Sequence, residues 1–200
     1  MYSSFNDVFF TDDNNGYYDN NNGLFSTADG GLTWAKVNTT GFSSLGIFAA
    51  SMFFSGNGTG YIVNDSIIYK ENGSITSWVS ASFTGNRPKY LAAVFATPNN
   101  NVYATTSRNE LYKSTDGGLT FAQVKVFSGN TSSFCDLHFT DDNTGYVCAG
   151  NKIYKTTDAG NTWNVVATLG GNATFGEIHF TDANHGWACG GEGVVLIYNN

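Results

Sequence analysis

The stretch that decides the fold runs Phe139-Thr140-Asp141-Asp142-Asn143-Thr144-Gly145-Tyr146-Val147-Cys148-Ala149-Gly150-Asn151-Lys152-Ile153-Tyr154-Lys155-Thr156-Thr157-Asp158-Ala159-Gly160-Asn161-Thr162-Trp163. It is a series of short apolar runs divided by Asp, Asn and Gly. Residues 146–150, 152–157 and 162–168 are rich in aromatic and β-branched side chains and bounded by turn formers, so each is predicted to be a strand, with 134–139 a strand ahead of them. No part of the chain shows sustained helical spacing.

Outward from this stretch the same pattern recurs. Its opening Phe aligns Phe10, Phe54, Phe95, Phe139 and Phe180, at intervals of 44, 41, 44 and 41 residues. Its closing aromatic aligns Trp34, Trp78, Phe121 and Trp163, at intervals of 44, 43 and 42. Four short strands repeated at this period describe a propeller blade, a sheet that hides its faces only against its neighbours. The expected fold is an all-β propeller of four-stranded antiparallel blades, four complete and a fifth partial. The blades fall at about 5–40, 46–82, 88–127, 133–169 and 174–200, making 1–200 one propeller domain or a propeller fragment. In the last repeat, residues 175–180, 187–190 and 194–198 supply three strands and nothing up to Asn200 supplies a fourth. An unpaired outer edge exposes backbone hydrogen-bonding groups. Three explanations are open: part of a longer propeller, an imperfectly closed five-bladed ring, or a strand supplied by another chain.

Two turn motifs punctuate each repeat. Asp12-x-Asn14-x-Gly16, Asp141-x-Asn143-x-Gly145 and Asp182-x-Asn184-x-Gly186 join the first two strands. There Asp and Asn bond nearby backbone, and Gly is expected to supply a positive φ. The spacing also matches the start of a calcium loop, but Gly23, Lys152 and Gly193 stand where that loop needs its bidentate acid. The second motif, between the last two strands, reads Thr27-x-Asp29-x-Gly31-x-Thr33-Trp34, Ser114-x-Asp116-x-Gly118-x-Thr120-Phe121 and Thr156-x-Asp158-x-Gly160-x-Thr162-Trp163. Here the Asp accepts backbone N–H groups, the Gly takes a left-handed conformation, and the aromatic packs beneath the turn.

This second template resembles the Asp-box (BNR-like) repeat of sialidases, sortilin-type receptors and propellers related to photosystem II assembly factors. With Phe-Thr-Asp-x-Asn-x-Gly-Tyr/Trp ahead of it, the chain is most similar to the last group, over residues 5–200. Repeat two departs: Tyr69 and Trp78 keep their places, but Glu71, Gly73 and Ile75 replace the box residues. The resemblance implies a rigid platform for partners. Its sialidase branch implies three Arg gripping a carboxylate with planar forks, and Arg87 and Arg108 are the only arginines.

Composition narrows the partners. Nine Lys and Arg stand against sixteen Asp and Glu, a formal charge of -7. An acidic surface with scattered cations excludes the footprint of a nucleic-acid binder. The longest nearly apolar run, 46–54, is too short for a membrane span. Met1-Tyr2-Ser3-Ser4-Phe5 carries no basic or apolar leader segment. Sequons at Asn38, Asn57, Asn64, Asn72, Asn130 and Asn172 fit a glycoprotein, so a secreted, periplasmic or cell-surface setting is expected. Cys135, Cys148 and Cys189 are read as small buried side chains, the last two at one repeat position.

Candidate chemistry concentrates three residues before the opening Phe, at Asp7, Asp136 and Glu177, with Ser51 and Ala92 in repeats two and three. One residue before that Phe stand Phe9, Phe53, Val94, His138 and His179. Alternation places Asp136 with His138, and Glu177 with His179, on one face of adjacent innermost strands. Two readings follow: Asp7, Asp136, His138, Glu177 and His179 line a sector of the central channel and bind a cation or polar ligand, or the acids satisfy backbone N–H groups between blades. Most aromatics fall at packing positions, and Tyr18, Tyr90 and Trp187 are the candidates for exposure and for stacking on sugars. No phosphate loop, metalloprotease motif, Cys-x-x-Cys or nucleophile elbow occurs.

The expected function is a non-catalytic binding or assembly module for a protein or glycan partner, with no catalytic residue, cofactor or metal assigned. The alternatives are a glycoside-processing enzyme using Asp136 and Glu177, and a structural subunit, including a homo-oligomer joined through the open last blade.

Overall fold

The computed structural model describes residues 5–20, 22–42, 50–128 and 136–199; residues 134–135, Cys135 and Asn130 therefore lie outside it. Strands β1 (Phe5–Phe10), β2 (Gly16–Asn20), β3 (Gly23–Thr27) and β4 (Ala35–Lys36) form the first sheet, and β5 (Ser51–Phe54), β6 (Gly60–Asn64), β7 (Ile67–Ser74) and β8 (Ser77–Ser80) the second. Strand β9 (Ser82–Thr84) precedes β10 (Leu91–Ala96), β11 (Val102–Thr106), β12 (Glu110–Ser114) and β13 (Thr120–Val126), and it pairs in parallel with β13 at the edge of that third sheet. The fourth sheet holds β14 (Leu137–Phe139), β15 (Gly145–Ala149), β16 (Lys152–Thr156) and β17 (Asn164–Thr168). The fifth holds β18 (Phe175–Phe180), β19 (His185–Gly190) and β20 (Val195–Asn199).

This is an all-β propeller of five blades. The expected four complete blades and a partial fifth are corrected: among the described residues the sheets have four, four, five, four and three strands, and β4 is only two residues long. The third blade gains its fifth strand because the chain leaving β8 runs on along the outside of β13. A shorter version of that crossing appears where Thr40 bridges Ser77 in parallel.

The Phe–Gly pair at each first turn explains the blade geometry, and it corrects the expected role of the glycine. Gly16, Gly145 and Gly186 are not among the residues with positive φ. They stand at the start of the second strand, Gly186 one residue in, directly opposite Phe10, Phe139 and Phe180. A Cβ at these three glycines would meet the Phe ring at 2.7, 2.5 and 2.5 Å. The glycine is there so that the ring can lie over the strand. In blade three the pair is replaced by Ala96 and Val102, which are register partners. The ring moves away, and a side chain fills its space.

That pairing also corrects the alignment of repeat three by one residue. Ala96, not Phe95, is the counterpart of Phe54 and Phe139, so Val94 joins the column of Met52, Leu137 and Ile178, and Ala93 replaces Ala92 in the acid column. The sequence offered a Phe at each position of the column, and the nearest Phe was one residue off.

Between successive blades lie four apolar clusters of one design. Between blades three and four, Tyr103 and Leu111 of one sheet meet Phe139, Val147 and Tyr154 of the next, closed by Trp163 and Phe127. Trp78 and Phe121 hold the place of Trp163 in the two preceding clusters. Stacked rings repeat as well: Tyr17 on Phe54, Tyr103 on Phe139 and Tyr146 on Phe180, with centroids 4.4, 4.2 and 4.2 Å apart. Burial of such rings supplies the main attraction between blades, at about 25 cal/mol per Å² of apolar surface. Among the described residues the two outer faces lack a neighbour of this kind. Val8 is 57% exposed where Met52, Val94, Leu137 and Ile178 are at most 5% exposed.

Candidate functional site

The second turn motif is built around its carboxylate. Asp29 accepts the Thr33 backbone N–H at 2.8 Å, the Thr33 hydroxyl at 2.6 Å and the Thr27 hydroxyl at 2.7 Å, while Thr27 Oγ1 accepts the Gly31 N–H at 3.0 Å. Trp34 Nε1 donates to Gly31 O at 3.1 Å. Ser114 and Asp116, and Thr156 and Asp158, repeat the arrangement around Gly118 and Gly160. These hydrogen bonds hold the carboxyls of Asp29 and Asp158 down to about 2, and that of Asp116 below its ordinary value despite some burial. The glycines have φ of 89°, 88° and 81°, as their position in the turn requires. Thus Thr27, Asp29, Gly31, Trp34, Ser114, Asp116, Gly118, Phe121, Thr156, Asp158, Gly160 and Trp163 are occupied by the turn and its packing. In the first-turn motif Asp12, Asp141 and Asp182 likewise accept two backbone N–H groups each, at 2.7–3.0 Å.

The turns also clip neighbouring blades together, a feature the sequence reading missed. Tyr61 Oη donates to Gly117 O at 3.1 Å, and Tyr103 Oη to Ala159 O at 2.8 Å, each reaching the turn of the following blade. Lys113 Nζ also donates to Ala159 O, at 2.7 Å, while lying 5.4 Å from the Tyr103 ring. The signal was present in the recurring Tyr after the first-turn glycine (Tyr17, Tyr61, Tyr146), but its partner lies about 56 residues away.

The acid column turns toward the following blade. Asp7 Oδ2 accepts the Met52 N–H at 2.6 Å, and Asp136 Oδ2 accepts the Ile178 N–H at 3.0 Å. Asp7 Oδ1 also accepts the Val8 N–H, and Asp19 across the pair accepts the Asp7 N–H and the Asn6 side-chain amide. Burial pushes Asp136 up to about 6 against these hydrogen bonds, with smaller contributions from the charges of Glu177 and Asp7. Asp7 is raised too, again chiefly by burial, with Asp19 and Glu177 adding to it. The charge of Glu177 on blade five thus reaches both Asp7 on blade one and Asp136 on blade four. Glu177 is exposed, since it lies on the outer face of the last blade.

The corrected register reveals a ladder of rings on the same face. Phe9 meets Phe53 at 5.5 Å, Phe53 meets Phe95 at 4.4 Å, Phe95 meets His138 at 5.0 Å and His138 meets His179 at 5.1 Å. One ring comes from each innermost strand. Burial and then the neighbouring His179 push His138 down to about 4, so it is neutral at physiological pH. His179 is exposed. The structure thus brings Asp136, His138, Glu177 and His179 onto adjacent strands, adds Phe95 to them, and ties Asp7 and Asp136 to backbone. Among the described residues no group of three or more His, Cys, Asp or Glu is placed to hold a metal ion.

Other expectations divide. Tyr90 and Trp187 are exposed at 51% and 42%, whereas Tyr18 is stacked on Phe25 at 4.8 Å and packed against Trp34. Cys148 is buried as read, with Sγ against the Asp136 backbone, but Cys189 is exposed because no blade among the described residues covers its face. No helix among the described residues is long and apolar enough to cross a membrane.

The fold and its inter-blade clips define a β-propeller. No protein-family model matches the chain. A stretch of 70 residues is 37% identical to the vacuolar protein sorting/targeting protein 10 of Colletotrichum graminicola, covering 34% of this chain and 5% of that protein. Among solved structures, YCF48 bound to D1 peptide superposes with a TM-score of 0.73 at 18% identity, over 100% of this chain and 65% of that one. The GH74 xyloglucanase of Xanthomonas campestris superposes with 0.72 at 14% identity, over 98% of this chain and 35% of that one. The chain therefore spans less than two-thirds of each. One of these structures holds a peptide and the other is a hydrolase, so at these identities the likeness shows the fold alone.

Proposed function

We propose that this chain is a non-catalytic binding or assembly module of the Asp-box (BNR-like) propeller type, a rigid platform for a protein partner in a secreted or cell-surface setting. The observation that carries this reading is the commitment of Asp7 and Asp136 to the backbone N–H groups of the next blade. Glycoside hydrolysis uses two carboxyl groups flanking one bond. In this column Glu177 is the exposed acid and the other two join blades. The vacuolar sorting and peptide-bound relatives are in keeping with a protein partner, and the xyloglucanase likeness keeps a glycan partner in the test.

The contact surface in this reading is the exposed end of the ring ladder, where Glu177 and His179 present a carboxylate and an imidazole beside Trp187. His138 and Phe95 support it from behind. A display of random peptides and a glycan array, each probed with the chain and with Glu177→Gln/His179→Ala, tests the proposal. Peptide binding that the double variant reduces is the expected result. Cleavage of a polysaccharide by the native chain, abolished by Glu177→Gln, would refute it in favour of the enzyme reading.

A further inference from the structure

The cations of this acidic chain are scattered along the sequence but not in space. Arg87 and Arg108 are the only arginines in a chain of formal charge -7, and the fold brings both to the junction of blades two and three. Arg87, Pro88, Lys89 and Tyr90 belong to the connection between β9 and β10, Asp65 and Ser66 to the turn between β6 and β7, and Arg108 to the turn between β11 and β12. Antiparallel alternation puts these three segments at one end of the blades, opposite both turn motifs. The first six of these residues to meet there, Asp65, Ser66, Arg87, Pro88, Lys89 and Tyr90, line a cavity of ≈ 330 Å³. The junction is interior, with blade one beyond blade two and blade four beyond blade three.

The positive charge there is not neutralised. Among the described residues, no side-chain hydrogen bond or ion pair engages Arg87, Lys89 or Arg108. Each guanidinium instead lies over a ring: Arg108 Cζ is 4.9 Å from the centre of the Tyr90 ring, and Arg87 Cζ is 5.9 Å from that of Phe83. An arginine laid on a ring is oriented, while the N–H donors of its planar fork stay available to a ligand. Tyr90 itself has φ 61°, a left-handed conformation that a bulky residue adopts only where its surroundings impose it. Here Tyr90 O accepts the Ser107 N–H at 2.8 Å, and the next residue, Leu91, donates its N–H to Asp65 O at 2.7 Å. These bonds hold the ring, 51% exposed, between the two turns. The acids nearby are Asp65, in the cavity wall, and Glu110, whose Oε2 accepts the Thr106 hydroxyl at 3.0 Å.

We propose that this cavity binds an acidic sugar residue, one that carries a carboxylate or a sulfate group. Arg87, Lys89 and Arg108 receive the anion, the planar forks matching either kind of oxyanion. Tyr90 offers its exposed ring to the apolar face of the sugar. Asp65 and Ser66 accept hydrogen bonds from the sugar hydroxyls. Asp65 also disfavours a peptide with consecutive acidic side chains, because a second carboxylate would meet its charge. The site lies apart from Glu177 and His179 on blade five, so it stands or falls independently of that surface.

The test is a calorimetric titration of the 200-residue chain with four probes: a galacturonic acid hexamer, a sulfated galactan hexasaccharide, a neutral galactan hexasaccharide and hexaglutamate. Saturable binding of at least one charged sugar is expected, weakening as salt is raised and absent for the neutral sugar. The tighter of the two charged sugars identifies the anion. Arg87→Gln and Arg108→Gln should each weaken binding at least about tenfold. Tyr90→Gly, which the left-handed backbone accepts, should weaken it while the fold is kept. Glu177→Gln/His179→Ala should leave the affinity unchanged, which separates this site from the exposed end of the ring ladder. Failure of both charged sugars to bind would overturn the proposal. So would equal affinity for the neutral sugar, affinity for hexaglutamate that matches or exceeds that for the charged sugars, or binding that survives Arg87→Gln combined with Arg108→Gln.

Discussion

Three glycines in one turn motif allow strain and packing to be separated. Gly31, Gly118 and Gly160 have φ of 89°, 88° and 81°, so alanine at each meets the same left-handed penalty of about 1–2 kcal/mol. Their surroundings differ. A Cβ at Gly31 has its nearest neighbour, the half-exposed Phe10 ring, at 3.5 Å; at Gly160 it meets Tyr103 Cε1 at 3.2 Å; at Gly118 it meets Tyr61 Cε1 at 2.5 Å. Tyr61 has no room to retreat, being 1% exposed and held through its hydroxyl to Gly117 O. Overpacking of this kind costs a further ~1–3 kcal/mol. Gly31→Ala is therefore expected to cost about 1–2 kcal/mol, Gly118→Ala about 2–5, and Gly160→Ala a value between them. Urea unfolding followed by tryptophan fluorescence measures the series, with Trp34, Trp78, Trp163 and Trp187 reporting from blades one, two, four and five. In a chain of this size each kcal/mol also moves the thermal midpoint by about 2–4 °C. Equal losses at Gly31 and Gly118 would refute the reasoning, because the ring contact would then contribute nothing.

Other expectations test the blade contacts. Ala96→Phe alone should destabilise blade three by about 1–3 kcal/mol, whereas Ala96→Phe with Val102→Gly rebuilds the pair found in the other blades and should recover most of it, a coupling read from a double-mutant cycle. Tyr61→Phe should cost about 1 kcal/mol through loss of its hydrogen bond to Gly117 O, and Tyr103→Phe less, since Lys113 continues to hold Ala159 O. Asp136 carries a folded-state pKa raised from 3.8 to about 6, so its contribution to stability is greatest below about pH 4 and is lost as pH rises through 6. That displacement corresponds to roughly 3 kcal/mol. Asp136→Asn should flatten the stability profile across that window, and parallel profiles for the two proteins would count against the assignment. Asp29 and Asp158 act in the opposite sense: held down to about 2, they stabilise above pH 4, and that contribution disappears as acid takes the pH toward 2.

Much of the fold was legible because it is written in short-range chemistry. The period near 42 residues, the strand runs and both turns depend on residues within a few positions of one another. Asp29 bonds Thr33, and Thr156 bonds Asp158. The candidate acids could be placed in a column by the same alternation. What could not be read was which groups across a blade boundary would claim them. Asp136 reaches Ile178, 42 residues on, and nothing near either residue announces the bond.

By itself the sequence determined an all-β chain of repeating blades, the residues that make its turns, and the exclusion of several chemistries. Tertiary structure decided the register of blade three, where Phe95 turns to the ring ladder and Ala96 faces Val102. It also decided that Gly16, Gly145 and Gly186 serve ring contact, that Cys189 is exposed, and that the fourth inter-blade cluster has Tyr198 and a cavity beside it where the other three have Trp78, Phe121 or Trp163. The physical reason is common to all four. Local propensity sets which residues form a strand, but each blade hides its faces only against another blade, and contacts made some 40 residues apart decide which side is buried.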